Sequence, residues 1–405
     1  MRECKWIIML VCVMGLSLHA EELWDYPGPD PDRDQEDLSF YEGPEDHGLL
    51  PFTHDDARPK NVIVLIGDGM GFNFVQLGRL ASVGAGGRLH MERMPVTGIM
   101  RTHSDNNLVT DSAAAATAMA TGVRTRNQYI GMGPDKTPYK SVLQVARDKD
   151  YLTGLAVNVA ITHATPAPFA SHVEHRRMGV PIASQLLDNR VDVLFGGGRR
   201  YFLPEPDGRR QDDRNLLEEA EEAGYSLIYS REQLLEHDSL PVLGLFAHGH
   251  MSTFSPEPML DEKTRVALRL LKDGVTSEDR PGFFLMIEGG QIDWAGHAND
   301  TPRAIRQMLK FDMAVKEALD FAREDGETLV IVTADHETGG LMITGNFDDP
   351  QTHWATGGHT ASDVPIYAYG PGAMRFAGTR DITEIALITA DLLGIKNFPV
   401  AIEQE

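Results

Sequence analysis

Cysteine is nearly missing from this chain. Its two cysteines, Cys4 and Cys12, both fall in the first 20 residues. Beyond them no thiol remains, which excludes a disulfide framework and a cysteine-ligated zinc site from the rest of the chain. Basic residues are also short: 37 Lys and Arg against 60 Asp and Glu, a formal net charge of -23. Polyanion binding rests on Lys and Arg neutralising phosphates, so nucleic acid is excluded as an expected partner. Long apolar runs are scarce. The one candidate, Trp6 to Leu18, is too short to span a bilayer. With Arg2 and Lys5 before it and Ala20 after it, the segment reads as a signal peptide over residues 1–20. No membrane anchor is expected, and the product is expected in a periplasm or outside the cell.

What is present is enough for a large core: 405 residues, 42% of them apolar. Residues 21–60 are rich in Pro, Asp and Glu and read as an extended acidic arm. From residue 61 to 405 a single catalytic domain is expected. Asn61 to Ile66 is a short β-branched apolar run closed by Gly67-Asp68-Gly69, a pattern that predicts a buried strand. Similar runs occupy Gly154–Val159, Val191–Phe195, Phe283–Ile287 and Leu329–Thr333, with helical periodicity between them. A helix is expected from Thr301, with Pro302 in its first turn. The fold class predicted is α/β, a mainly parallel central sheet with helices on both faces. Residues 204–260 are more polar and are expected to form surface helices or loops.

Three of the apolar runs end on an acid: Asp68, Glu288 and Asp335, the last followed by His336. Ligands bind beyond the carboxyl ends of the strands in such a sheet, so these acids can converge. One acid after a strand is commonly a helix cap; three favour a metal site. Asp293 and His297, four apart, can share one face of a helical turn, and His359 lies between Gly358 and Thr360. Ser112, after Asp111 and before an alanine run, is either a nucleophile at a helix N-terminus or a plain cap. His248-Gly-His250 has no acid beside it and reads as a loop or packed pair.

Six motifs in order resemble the alkaline phosphatase family over roughly residues 60 to 395. They are Val64-Leu-Ile-Gly-Asp68-Gly-Met-Gly71, Asp111-Ser112-Ala-Ala-Ala, His163-Ala-Thr165-Pro166, Glu288-Gly-Gly-Gln-Ile-Asp293 to His297, Thr333-Ala-Asp335-His336 and Gly358-His359-Thr360. The resemblance implies an alkaline phosphatase-like fold, two zinc ions and one magnesium ion, and a homodimer. It implies one zinc on Asp293, His297 and His359. The second zinc would sit on Asp68, Asp335 and His336, with Ser112 joining during reaction. Magnesium would sit on Asp68, Thr165 and Glu288. Arg176 takes the place of the phosphate clamp, with Arg177 as its rival. His163 and Trp294 stand where some members carry Asp and Lys, and both are expected to border the substrate pocket with Asp111. The implied reaction is hydrolysis of phosphate monoesters through a phosphoserine at Ser112, fastest at alkaline pH. A phosphodiesterase or sulfatase relative, and an exported phosphate- or metal-binding protein without turnover, are the other readings. Ser112 and Arg176 weigh against both.

Overall fold

The computed structural model describes residues 37–52, 57–347 and 349–403. The signal segment and most of the arm lie outside the described residues. Ten strands form one sheet. In chain order they are β1 (Asn61–Gly67), β2 (Val96–Arg101), β3 (Leu152–Ala160), β4 (Val193–Gly197), β5 (Ser226–Ile228), β6 (Val242–Leu245), β7 (Phe283–Gly289), β8 (Thr328–Thr333), β9 (Val364–Tyr369) and β10 (Gly378–Asp381). Their spatial order is β10-β2-β9-β8-β1-β7-β3-β4-β6-β5. All pairings are parallel except those of β9, which runs against both β2 and β8. This is the mainly parallel sheet expected from the apolar runs.

The central strands are apolar throughout because helices cover both faces. Every residue of β1, β7 and β8 is buried. Five helices matter for the site: α1 (Phe72–Ser82), α2 (Ser112–Thr121), α3 (Leu260–Ser277), α4 (Gln291–Ala298) and α5 (Thr301–Asp325). The last begins where the sequence placed it, with Asp300 accepting from the Arg303 amide and Pro302 in the first turn. The region 204–260 departs from its polar appearance, since it supplies β5 and β6 to the sheet. Each is only three or four residues long, and polar helices flank them, so no long apolar run announces them. The described part of the arm is anchored rather than free. Tyr41 donates to Asp312 on α5 (2.8 Å), and the Glu42 carbonyl meets the His90 ring (2.7 Å).

Lys263 on α3 is fully buried, and its Nζ donates to the Val157 carbonyl of β3 (2.6 Å). Burial pulls its pKa from the ordinary 10.5 to about 7, against the opposite pull of Glu257, Asp261 and Glu262. The folded state therefore binds fewer protons here than the unfolded chain between pH 7 and 10.5, so this group's contribution to stability rises with pH over that window. Lys263→Met should stabilise the protein at pH 7 by an amount on the order of a few kcal/mol. The gap from the parent should close as pH approaches 10. Thermal melts of both proteins across that range check it; a gap independent of pH would refute it.

Candidate active site

Register brings the strand-end acids together. Ile66 of β1 pairs with Glu288 of β7 on one side and Thr333 of β8 on the other. Asp68, Glu288 and Asp335 thus leave three adjacent strands at the same edge. Gly69 makes the turn possible: its φ is +75°, and a Cβ there would stand 2.8 Å from Asp293 Cα and from Thr338 Oγ1. Its amide donates to Asp335 Oδ1 (3.0 Å).

His336 Nε2 lies 3.2 Å from Asp335 Oδ2, 3.5 Å from Asp68 Oδ1 and 3.2 Å from Ser112 Oγ. Asp293 and His297 share one face of α4, with Nε2 to Oδ2 at 3.2 Å. His359 Nε2 approaches Asp293 Oδ1 at 3.4 Å and His297 Nε2 at 3.2 Å. The His336 and His359 rings stack at 3.6 Å, so the two ligand groups are contiguous. A third group forms behind them: Thr165 Oγ1 lies 3.4 Å from Asp68 Oδ2, and His163 Nδ1 lies 3.2 Å from Glu288 Oε1. Asp68, His163 and Glu288 come close enough to share a cation, as do Asp68, Asp335 and His336, and Asp293, His336 and His359.

The electrostatics call for positive charge. Burial, then the charges of Asp335, Asp293 and Glu288, hold the Asp68 carboxyl well above the usual range. Burial likewise lifts Asp335 to about 7. For Asp293 burial pushes upward, but the imidazoles of His297 and His359 overcome it and hold the carboxyl well below its ordinary value. Asp68 Oδ1, Asp335 Oδ2 and Glu288 Oε2 are buried and carry no hydrogen bond. Orphaned carboxylate oxygens beside imidazole nitrogens are the donor set that divalent cations take. The residues present therefore fit the implied metals.

Ser112 opens α2, and Asp111 caps it, its Oδ1 accepting from the Ala114 amide (3.0 Å). Asp111 Oδ2 also accepts from the Gln128 amide (3.0 Å) and from Arg176 Nη1 (3.3 Å). Of the two rival arginines, Arg176 is held against the Ser112 helix, while Arg177 is exposed. A cavity of about 280 Å³ opens among Asp111, Ser112, Arg176, Asp293, His297 and His359. Asp111 lines it as expected. His163 and Trp294 stand behind its wall rather than on it. Trp294 is 2% exposed and packs edge-on against His250, at 4.9 Å between centroids, and against His163 at 6.4 Å. Sequence reasoning assigned His250 no part here. It carries no adjacent acid, and only the fold reveals that its Nδ1 accepts from the Ala160 amide (3.0 Å) and its ring backs Trp294.

The chain is similar to known proteins in sequence and in fold. The sequence profile described as Alkaline phosphatase matches residues 59–349. Alkaline phosphatase 3 of Bacillus subtilis is 35% identical, over 81% of this chain and 87% of its own. Among solved structures, the alkaline phosphatase of the Antarctic bacterium TAB5 superposes with a TM-score of 0.76 at 32% identity, covering 84% of this chain and 100% of that one. A histidine-to-aspartate mutant of that protein is described with Mg bound in the M3 site; it superposes at 0.74 with 31% identity, over 84% and 99% of the two chains.

Proposed function

The chain belongs to the alkaline phosphatase family, and on that premise we propose that Ser112 is its nucleophile, Arg176 its phosphate clamp, and the carboxylate–imidazole groups its metal ligands. Its activity is hydrolysis of phosphate monoesters, and its family binds metals. The observation that carries the assignment is the position of Ser112 Oγ: at the N-terminus of α2, 3.2 Å from His336 Nε2, on a cavity that Arg176 also lines.

Asp293, His297 and His359 would hold one zinc; Asp68, Asp335 and His336 the second; Asp68, Thr165 and Glu288 a magnesium. When bound, these ions supply positive charge and Lewis acidity that offset the phosphate dianion and favour deprotonated oxygen nucleophiles. Arg176 binds two phosphate oxygens through its planar guanidinium, and Asp111 fixes its orientation. The free amides at the start of α2 favour the same anion. Ser112 Oγ attacks phosphorus in line. The Oγ–P bond forms as the ester P–O bond breaks, and the serine proton is released while the alcohol takes one from solvent. Water then attacks phosphorus from the vacated side. The Oγ–P bond breaks, inorganic phosphate leaves, and Ser112 regains its proton. Acid quenching during turnover of a phosphate-labelled substrate tests this: the label should be recovered on the peptide containing Ser112. Label on another residue, or none with turnover intact, would overturn the assignment.

The same proposal covers an exported chain cleaved after Ala20, a catalytic domain over residues 61–405 and a homodimer. Export is supported by the basic start and apolar run of residues 1–20; the homodimer rests on the family resemblance alone. Among the described residues no helix is long and apolar enough to cross a membrane.

His163 and Trp294 set a further expectation. An imidazole at 163 suits hard, oxygen-preferring magnesium less well than a carboxylate would. Trp294, packed against His163, offers no charged contact to phosphate. His163→Asp should lower half-saturating magnesium by about tenfold. Because neither side chain lines the cavity, phosphate inhibition should stay near the parent value. Magnesium titration and phosphate inhibition of the variant against the parent check this. Unchanged half-saturating magnesium would remove His163 from control of the third group.

A further inference from the structure

Resting on the metal-ligand reading above, we propose that Thr338 is a positioning residue whose hydroxyl joins the two zinc groups and fixes the ring state of His336. Each of the three ligand histidines turns its Nδ1 away from the neighbouring carboxylates. His297 Nδ1 meets the Gly357 carbonyl at 2.8 Å, and His359 Nδ1 meets the Thr110 carbonyl at 2.9 Å. A carbonyl only accepts, so both Nδ1 atoms carry a proton, and the neutral form of each ring has its lone pair on Nε2, free for a cation. His336 differs. Its Nδ1 faces a side-chain hydroxyl, Thr338 Oγ1, at 3.3 Å. A hydroxyl can donate or accept, so by itself it fixes nothing.

Asp293 settles the direction. Thr338 Oγ1 lies 2.5 Å from Asp293 Oδ1. A carboxylate oxygen accepts, and the hydroxyl donates its only proton to it. Toward His336 it can then only accept. The proton of His336 is thereby held on Nδ1, and Nε2, the atom facing Asp68, Asp335 and Ser112, is left as a lone pair. The chain His336 Nδ1–H to Thr338 Oγ–H to Asp293 thus connects a ligand of each zinc group. Its enclosure keeps it in register. Thr338 is fully buried, and its short strand, Glu337–Thr338, pairs with His359–Thr360. The Thr338 amide donates to the Gly69 carbonyl (3.2 Å). The methyl group faces Gly296 of α4, where a Cβ would meet Thr338 Cγ2 at 2.9 Å. Methyl and hydroxyl therefore have separate contacts, and substitution can separate their roles.

The test uses zinc-loaded full-length enzyme and a competing chelator, dipicolinate. Thr338→Val keeps the shape and removes the hydroxyl; Thr338→Ser keeps the hydroxyl and removes the methyl; Thr338→Ala loses both and stands in if the valine protein does not fold. The dipicolinate concentration that removes half of the zinc should fall about tenfold in the valine and alanine proteins and stay near the parent value in the serine protein. In 15N-histidine-labelled enzyme, the Nδ1 proton signal of His336 should persist in the parent and serine proteins and vanish in the others. Parent-like zinc retention and an unchanged His336 signal in the valine or alanine protein would overturn the proposal. So would a serine protein as weak as the alanine one, since the methyl would then be the contact that matters. A parent enzyme that holds no zinc against dilute buffer would instead overturn the metal reading itself, and this inference with it.

Discussion

Ser112→Ala should lower turnover of an aryl phosphate by roughly three orders of magnitude or more while zinc content stays at the parent level. The two halves of that expectation have different origins. The hydroxyl is the only group removed, and in the proposed mechanism its oxygen forms the bond to phosphorus. The ligand groups do not depend on it: Asp335, Asp68 and His336 hold one another at 3.2 and 3.5 Å, and Asp293, His297 and His359 at 3.2 and 3.4 Å, without Ser112. The helix also survives, because its cap is Asp111, not Ser112, and alanine extends a run that is already alanine. Some activity should remain, since Arg176 and the bound ions still orient phosphate for direct attack by water. Measuring steady-state rate, zinc by atomic absorption and acid-stable label together separates the outcomes. A variant with near-parent rate and no label would show that water attacks directly in the parent as well. A variant that loses zinc along with activity would show that Ser112 supports the metal site even at rest.

Much of this site was legible because strand ends announce themselves. The apolar runs 61–66, 283–287 and 329–333 each stop at an acid, and burial on both faces leaves little choice but a central parallel strand. Their adjacency in space, β8-β1-β7, is what turns three separate sequence signals into one cluster. The less legible parts are those whose signal is weak or non-local. Strand β9 carries Pro365, and its reversal is fixed by pairing with β2 and β8, which no local pattern encodes. Strands β5 and β6 are too short for periodicity. Trp294 was placed at the pocket by the family resemblance, in which some members carry a polar residue at this position. On α4, however, successive residues point about 100° apart, so a neighbour of a ligand faces elsewhere. Here that direction is the packed interior behind the cavity. Thr338 gave no signal and His250 only that of a loop or packed pair, since each has a partner 45 or 90 residues away.

Removal of the metals should abolish activity, and zinc with magnesium should restore it better than either alone. The argument starts from charge. The chain carries 60 acidic residues against 37 basic ones, and the site itself concentrates Asp68, Glu288, Asp293 and Asp335 within the protein. A phosphate dianion entering this cavity meets Arg176, whose guanidinium is already paired with Asp111, and the exposed Arg177 at its rim. Without bound cations the buried carboxylates repel the substrate and one another, which is why burial and mutual charge hold Asp68 far above its ordinary range. Ions relieve both repulsions at once. The two groups proposed for zinc offer imidazole nitrogen, which suits zinc; the third offers oxygen from Asp68, Thr165 and Glu288, which suits magnesium, beside the His163 ring. Each metal should therefore restore only part of the rate. Rate should also rise into the alkaline range, since the proposed mechanism has the serine hydroxyl and the second-step water act as deprotonated nucleophiles. The check is an aryl phosphate assay across pH 7 to 11, before and after exhaustive chelation and after adding back zinc, magnesium or both, with metal content measured on each sample. Full activity in a metal-free sample would sink the mechanism as a whole. Full recovery with zinc alone would confine the failure to the third group and point back to His163 as the residue that lets zinc occupy it.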